Sequence, residues 1–226
     1  MAVSKRLQRS FKLRFAVLYP FGVLLMLFAM PSDETIRRGI GFIITGLLIR
    51  IWANGYAIKM DKLTTSGPYA FVRHPLYLGT MFIALGFVML LNSFYIGVPL
   101  LIGLVLIYAN TVKKEEGMLK DKFGNAYLDY AKNVPAMIPT FRRYRKGEKW
   151  PFSFKRLMKS KEYKLVIWVV ILVIAFHLKE EFIKEKEKID AKIILLIVLA
   201  FLLGASDLVS EALKKRFEKN NKAPQA

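Results

Sequence analysis

The chain has 226 residues, of which 54% are hydrophobic and 23% charged, and its mean hydropathy is positive. A single soluble core is a poor fit to both fractions at once, whereas a membrane protein with charged loops fits them, because apolar and charged residues then segregate along the chain. The net charge of +19 sits beside apolar runs and so points to anionic lipid rather than nucleic acid, and the absence of cysteine excludes disulfides, thiolate nucleophiles and cysteine metal sites.

Residues 1–14 form a basic arm with Lys5, Arg6, Arg9, Lys12 and Arg14, expected on the cytoplasmic side. Phe15 to Met30 is a first apolar run. It lacks a small-x-small cleavage site, and Pro31-Ser32-Asp33-Glu34 reads as a loop, so it is expected to be a retained helix. Ile36 to Ile58 is a second run, long enough to span a bilayer with some tilt. Gly39, Gly41, Gly46 and Gly55 dot it, and small residues let membrane helices approach closely.

Lys59 to Arg73 returns the chain to the basic side. Leu76 to Leu91 and Phe94 to Asn110 are apolar runs separated by Asn92-Ser93 alone, which predicts a tight helical hairpin with both polar ends on one side. Lys113 to Tyr130 reads as a polar helix broken at Gly124, and Pro135 and Pro139 end regular structure. Arg142 to Lys164 is basic with interleaved aromatics. It admits two readings: a cytoplasmic loop obeying the charge rule, or an interfacial segment on anionic lipid. Leu165 to Leu178 and Ile193 to Val209 are a last pair of apolar runs, separated by the sign-balanced stretch Lys179 to Lys192. The expected fold is all-α and polytopic, with about six transmembrane helices and both termini cytoplasmic. The expected parts are residues 1–63, an arm and N-terminal hairpin; 64–140, a core; 141–164, a basic segment; and 165–226, a C-terminal hairpin and tail.

The chemistry concentrates in Ser66 to Gly79, SGPYAFVRHPLYLG. Gly67-Pro68 marks a turn. Pro75 favours the first turn of a helix, so His74 reads as its cap. The N–H groups of that turn suit an anionic group. His74 and Tyr77, three apart, share a helix face. The plainer readings are that His74 only caps the helix and that Arg73 only sets topology. Folding of the hairpin returns Glu115-Glu116 to the membrane face that carries His74. The two glutamates are adjacent, so on a helix they diverge by about 100°, and Glu116 is expected to be the more inward. Two histidines, His74 and His177, are too few and too distant for an ordinary metal site, so none is expected.

Arg73-His74-Pro75-x-Tyr77-x-Gly79 resembles the signature of the isoprenylcysteine carboxyl methyltransferase and phospholipid methyltransferase superfamily of membrane enzymes. A second block is similar to that family's C-terminal core: Glu115-Glu116, Phe123-Gly124, Tyr127, Tyr130, Val134-Pro135 and Ile138-Pro139. The resemblance covers roughly residues 64–139. It implies a cofactor pocket at the cytoplasmic membrane edge and S-adenosyl-L-methionine as cofactor. The acceptor it implies is a lipophilic small molecule, with membrane lipids, anionic ones among them, as further partners. By the same resemblance Arg73, His74 and Tyr77 are the candidate catalytic residues. Tyr69, His74, Pro75, Tyr77, Leu78, Glu115 and Glu116 are the candidate cofactor contacts. Carboxylates suit the cofactor's ammonium, and the aromatic faces of Tyr69 and Tyr77 suit a cation. One departure stands out. Prenylcysteine methyltransferases often carry an arginine shortly before the glutamate pair, and this chain has Asn110-Thr111-Val112-Lys113-Lys114 there. Lysine is a point charge and not a bidentate fork. Sterol-type membrane reductases, which bind NADPH, resemble the same core and are the rival reading.

Overall fold

The computed structural model describes residues 29–58 and 62–185, with side chains to residue 180. The apolar runs expected at Phe15–Met30 and Ile193–Val209 lie almost wholly outside the described residues, as do the basic arm and tail. Among the described residues every regular element is helical, as expected. The chain divides into two compact units, Met1–Ile167 and Trp168–Ala226.

In the first unit, α1 (Asp33–Tyr56) starts three residues before its apolar run. Ser32 caps it: the Ser32 hydroxyl accepts the Thr35 N–H, and Thr35 Oγ1 accepts the Ser32 N–H at 2.9 Å. This reciprocal box satisfies two donors that a helix start otherwise leaves open. A 3-10 turn at Gly67–Ala70 follows, with Gly67 at φ +60°. Next come α2 (Pro75–Leu91) and α3 (Phe94–Phe123). They form the predicted hairpin, and Asn92 makes the reversal in the left-handed region at φ 53°, where asparagine is well tolerated.

α3 has 30 residues and is about 45 Å long. Its apolar part is followed by a polar extension that carries Glu115 and Glu116 beyond it. Gly124, at φ 52° and ψ −126°, ends α3 where the sequence places the break, and α4 (Asn125–Asn133) follows. Among the described residues, α3 is the one helix long and apolar enough to cross a membrane by length and composition; α2 is apolar and shorter, at 17 residues. On α1, Ile44, Leu48 and Trp52 form an exposed stripe four residues apart, and Ile102, Val105 and Leu106 are exposed on α3. Outward apolar stripes of this kind suit lipid contact.

The packing of α1 against α2 rests on glycines. A Cβ on Gly46 would lie 2.4 Å from the Gly79 carbonyl oxygen, and one on Gly79 2.7 Å from that of Gly46. Gly39 and Gly86 face each other in the same way, at 2.7 and 2.6 Å. Seven residues separate the pairs on each helix, about two turns. The last glycine of the signature is thus a point of backbone approach.

Residues 142–164 are more than a linker. They hold α5 (Phe154–Ser160), capped by Ser153, and fold back on the end of α1. The Ser153 N–H and Arg156 Nε both donate to the Gly55 carbonyl at 3.0 Å. Phe152 packs edge-on against Tyr56, its ring filling the space beside Gly55. α6 spans Glu162–Glu185 and corrects the last predicted boundary. The helix does not stop at Leu178 but continues through Lys179 and Glu180. Lysine and glutamate are good helix formers, so a change to charged residues does not end a helix. Residues 168–185 of α6 are what is described of the second unit.

Candidate active site

The site starts from backbone stitching. The Arg73 N–H donates to the Pro135 carbonyl at 2.9 Å and the His74 N–H to that of Ala136 at 3.0 Å. In return the Thr140 N–H donates to the Phe71 carbonyl and the Tyr144 N–H to that of Ala70, both at 2.9 Å. Residues 70–74 are thereby fixed to residues 135–144. Below them Tyr127, Tyr130 and Val134 form a buried core with Leu63, Leu119 and Phe123 around it. The Tyr130 hydroxyl donates to the Tyr69 carbonyl at 2.6 Å. The aromatics of the second sequence block therefore seat the loop that carries the first.

On this seat the hairpin brings the two blocks together. Glu116 Oε1 stands 3.2 Å from His74 Nε2 and 3.0 Å from an Arg73 guanidinium nitrogen. Glu115 Oε2 stands 3.8 Å from His74 Nδ1. Neighbouring helical residues were expected to divide their work, with Glu116 inward. Instead Glu115 is the more buried, its side chain 19% exposed against 27% for Glu116, and both approach one imidazole. The two ring nitrogens lie on different edges, so diverging carboxylates reach different atoms of the same ring. His74 holds the cap position of α2, yet its side chain makes no capping bond; the imidazole turns to the glutamates instead. Its hydrogen bond is with Glu116, and Glu115 stands at ion-pair distance on the other ring nitrogen.

The electrostatics follow from these contacts. The hydrogen bond with His74 is the main influence holding the Glu116 carboxyl below its ordinary value, and the charge of Arg73 adds to it against partial desolvation. Arg73 Nη1 donates to the Tyr127 hydroxyl at 3.3 Å. Burial, reinforced by the nearby Glu116 charge, pushes the Tyr127 hydroxyl up to about 12, so it stays neutral beside Glu116. Arg73 Nε is buried without a hydrogen-bond partner.

Of the other predicted residues, Tyr77 is buried, with its ring 5.7 Å from that of His74 and 5.1 Å from that of Tyr108. Pro75 opens α2, and the Leu78 N–H bonds the His74 carbonyl. Tyr69 meets the cluster's support through its carbonyl. Sequence reasoning missed Tyr127 as a site member, although its place in the second block was the available signal. It also missed Arg50, a charge inside an apolar run.

Residues 19–126 match the family model for phospholipid methyltransferases. That match and the isoprenylcysteine methyltransferases below support the resemblance to the isoprenylcysteine carboxyl methyltransferase and phospholipid methyltransferase superfamily. The superfamily match takes in Arg73, His74, Glu115 and Glu116 and stops one residue before Tyr127. Among similar proteins is the cobalt-zinc-cadmium resistance protein CzcN of Cupriavidus metallidurans, 30% identical over 127 residues, covering 54% of this chain and 58% of that protein. The protein-S-isoprenylcysteine O-methyltransferase of Schizosaccharomyces pombe is 44% identical over 83 residues, 36% of this chain and 34% of that protein. The enzyme of the same name from Rattus norvegicus is 34% identical over 85 residues, 38% and 30% of the two chains. The chain thus spans between 30% and 58% of the length of these relatives. No solved structure matches. Among the described residues no group of three or more His, Cys, Asp and Glu is placed to hold a metal ion.

The residues fit the head group of S-adenosylmethionine by the chemistry of their donors. Two partly exposed carboxylates suit its ammonium. The buried, unpartnered Arg73 Nε is a donor that a carboxylate would satisfy.

Proposed function

We propose that this protein is an integral membrane methyltransferase that uses S-adenosylmethionine and methylates a lipophilic acceptor at the cytoplasmic edge of the bilayer. The observation that carries the reading is the assembly of Arg73, His74, Glu115 and Glu116 from two sequence blocks around the orphaned Arg73 Nε. When bound, S-adenosylmethionine supplies a methyl group on a sulfonium centre. Glu115 and Glu116 hold the ammonium of that cofactor, and Arg73 holds its carboxylate. Tyr77, Tyr69 and the first turn of α2 at Pro75 and Leu78 shape the adjoining wall. His74 orients both glutamates and stands as the group that takes or gives a proton at the acceptor. Methyl transfer needs mainly positioning, which the backbone stitching supplies.

The acceptor class follows from an absence and an orientation. No arginine stands in the stretch Asn110–Lys114 just before the glutamate pair, and Lys113 and Lys114 are exposed. A lipophilic amine or thiol is therefore favoured over a prenylcysteine carboxylate, which lacks its fork. About six spans with both termini cytoplasmic accommodate the basic loops. Ile138 and Phe141 are 78% and 103% exposed beside Arg142, Arg143 and Arg145. That pairing of apolar tips with basic neighbours supports contact with anionic headgroups.

The test is calorimetry on the detergent-solubilised protein with S-adenosylmethionine, S-adenosylhomocysteine and NADPH. Binding of the first two is expected. Binding of NADPH alone would replace this reading with the sterol-type reductase, to which the comparisons lend nothing.

A further inference from the structure

Arg50 lies in the interior of α1 and is 7% exposed. Its guanidinium grips Glu162 at both oxygens, Nε at 2.5 Å and Nη2 at 3.2 Å. Nη1 donates to the Leu76 carbonyl at 3.1 Å and to Thr80 Oγ1 at 2.6 Å. Glu162, 3% exposed, also accepts from Asn54 Nδ2 at 3.0 Å. Every guanidinium nitrogen thus has an acceptor. A buried charge persists only when so paired, and in an apolar helix an ionisable residue suggests a function.

Where the arginine points indicates which function. Leu76 is the second residue of α2 and Thr80 lies one turn on, so Arg50 holds the start of the helix whose cap position is His74. Gly79 makes the passage possible: a Cβ there would fall 2.5 Å from Arg50 Cγ. The counter-ion comes from outside the superfamily match, since Glu162 lies well past residue 126.

We infer that Arg50, anchored by Glu162, is a positioning residue that fixes the first turn of α2 and so sets where Arg73 and His74 stand against Glu115 and Glu116. The rival is that the pair only joins α1 to the start of α6. The two differ in what a neutral pair does. Replacing a buried ion pair by apolar residues of similar volume is often neutral for stability, whereas removing one partner is not. Arg50→Met/Glu162→Met therefore removes the uncompensated charge but takes the guanidinium donor from Thr80 and leaves the Leu76 carbonyl to the Thr80 hydroxyl.

The experiment compares Arg50→Met, Arg50→Met/Glu162→Met and Thr80→Val with the parent. It measures thermal stability, S-adenosylmethionine affinity and the histidine ring signals in a proton–carbon spectrum. With two histidines in the chain, His177 serves as the internal reference. The single Arg50 variant should lose stability. The double variant should regain it, yet keep a displaced His74 signal and an affinity weaker by roughly tenfold. Parent-like signal and affinity in the double variant would overturn the inference. If neither Arg50 variant folds, Thr80→Val decides: a displaced His74 signal is expected, and an unchanged one overturns it. The affinity readout rests on the methyltransferase proposal, and the ring spectrum does not. A parent that binds no S-adenosylmethionine overturns that proposal and leaves the spectrum to judge Arg50.

Discussion

His74 and Glu116, 42 positions apart in the chain, meet at 3.2 Å between Nε2 and Oε1. The contact exists because α2 and α3 reverse over two residues and α3 then continues past its apolar part. Glu116 also serves Arg73, so its charge is used three ways if an ammonium joins the site.

Removing that charge should weaken S-adenosylmethionine binding. Loss of one partner of a desolvated pair costs roughly 2–5 kcal/mol, and the lower end applies to a side chain still 27% exposed. Glu116→Gln is expected to reduce affinity by about 30-fold. Glu115→Gln should also reduce it, by about tenfold, because Glu115 faces the same ring at the longer distance of 3.8 Å. His74→Ala should act on the same step. Calorimetry reads all three, with circular dichroism confirming the helix content; parent-like affinity throughout would move the cofactor site elsewhere.

A pH dependence follows from the depressed Glu116 carboxyl. Its folded value lies below the ordinary 4.5. Its contribution to stability is thus fully present above that ordinary value and is lost as the pH falls through the lower folded one. The thermal stability of the parent in detergent should fall on acidification below about pH 4.5. The Glu116→Gln profile should be flatter over the same window. Parallel profiles would show that Glu116 titrates alike in both states.

The glycine contacts predict a contrast between neighbours. Gly79→Ala drives a methyl into the Gly46 carbonyl and Arg50 Cγ, at 2.7 and 2.5 Å. Overpacking of that kind costs about 1–3 kcal/mol. Gly41→Ala meets nothing within 4 Å and should be neutral or stabilising by up to about 1 kcal/mol through helix propensity. Urea or thermal unfolding separates them, and equal behaviour would mean the helices are not in backbone contact.

The exposed pairing of Phe141 with Arg142 and Arg143 predicts a lipid preference. A spin label on Phe141→Cys, in a chain otherwise free of cysteine, should be shielded from aqueous relaxants in vesicles with phosphatidylserine. The shielding should fall as salt is raised. Equal exposure in neutral and anionic vesicles would reduce the segment to a surface loop.

Orientation is tested in the same background. Lys62, 58% exposed, and Lys188 are expected on opposite sides. Cysteines at the two positions that both label from one side with an impermeant thiol reagent would sink the six-span topology.

Much of this was legible in the sequence, and the misses have causes. The Asn92-Ser93 reversal, the break at Gly124 and the meeting of His74 with Glu116 follow from local rules: run length, turn residues, helix periodicity. The joint approach of Glu115 and Glu116 does not, because it depends on where one ring sits between two helices. The seating of Arg73 and His74 on residues 135–144 is carried by backbone bonds, which leave no side-chain signature. Arg50 was visible as a charge in an apolar run, but its partner Glu162 lies 112 positions away, and nothing periodic connects them.

That separation has a consequence for biosynthesis. Chains grow at about 5–20 residues per second, so Arg50 is made roughly 6–22 seconds before the carboxylate that neutralises it. If α1 is one of the proposed spans, a charge inside it costs up to roughly 2.5–3.5 kcal/mol at the bilayer centre, and during that interval the nascent chain bears it unrelieved. Arg50 gains its counter-ion only when the start of α6 is delivered, and a ribosome that stalls before residue 162 leaves α1 with a stranded cation.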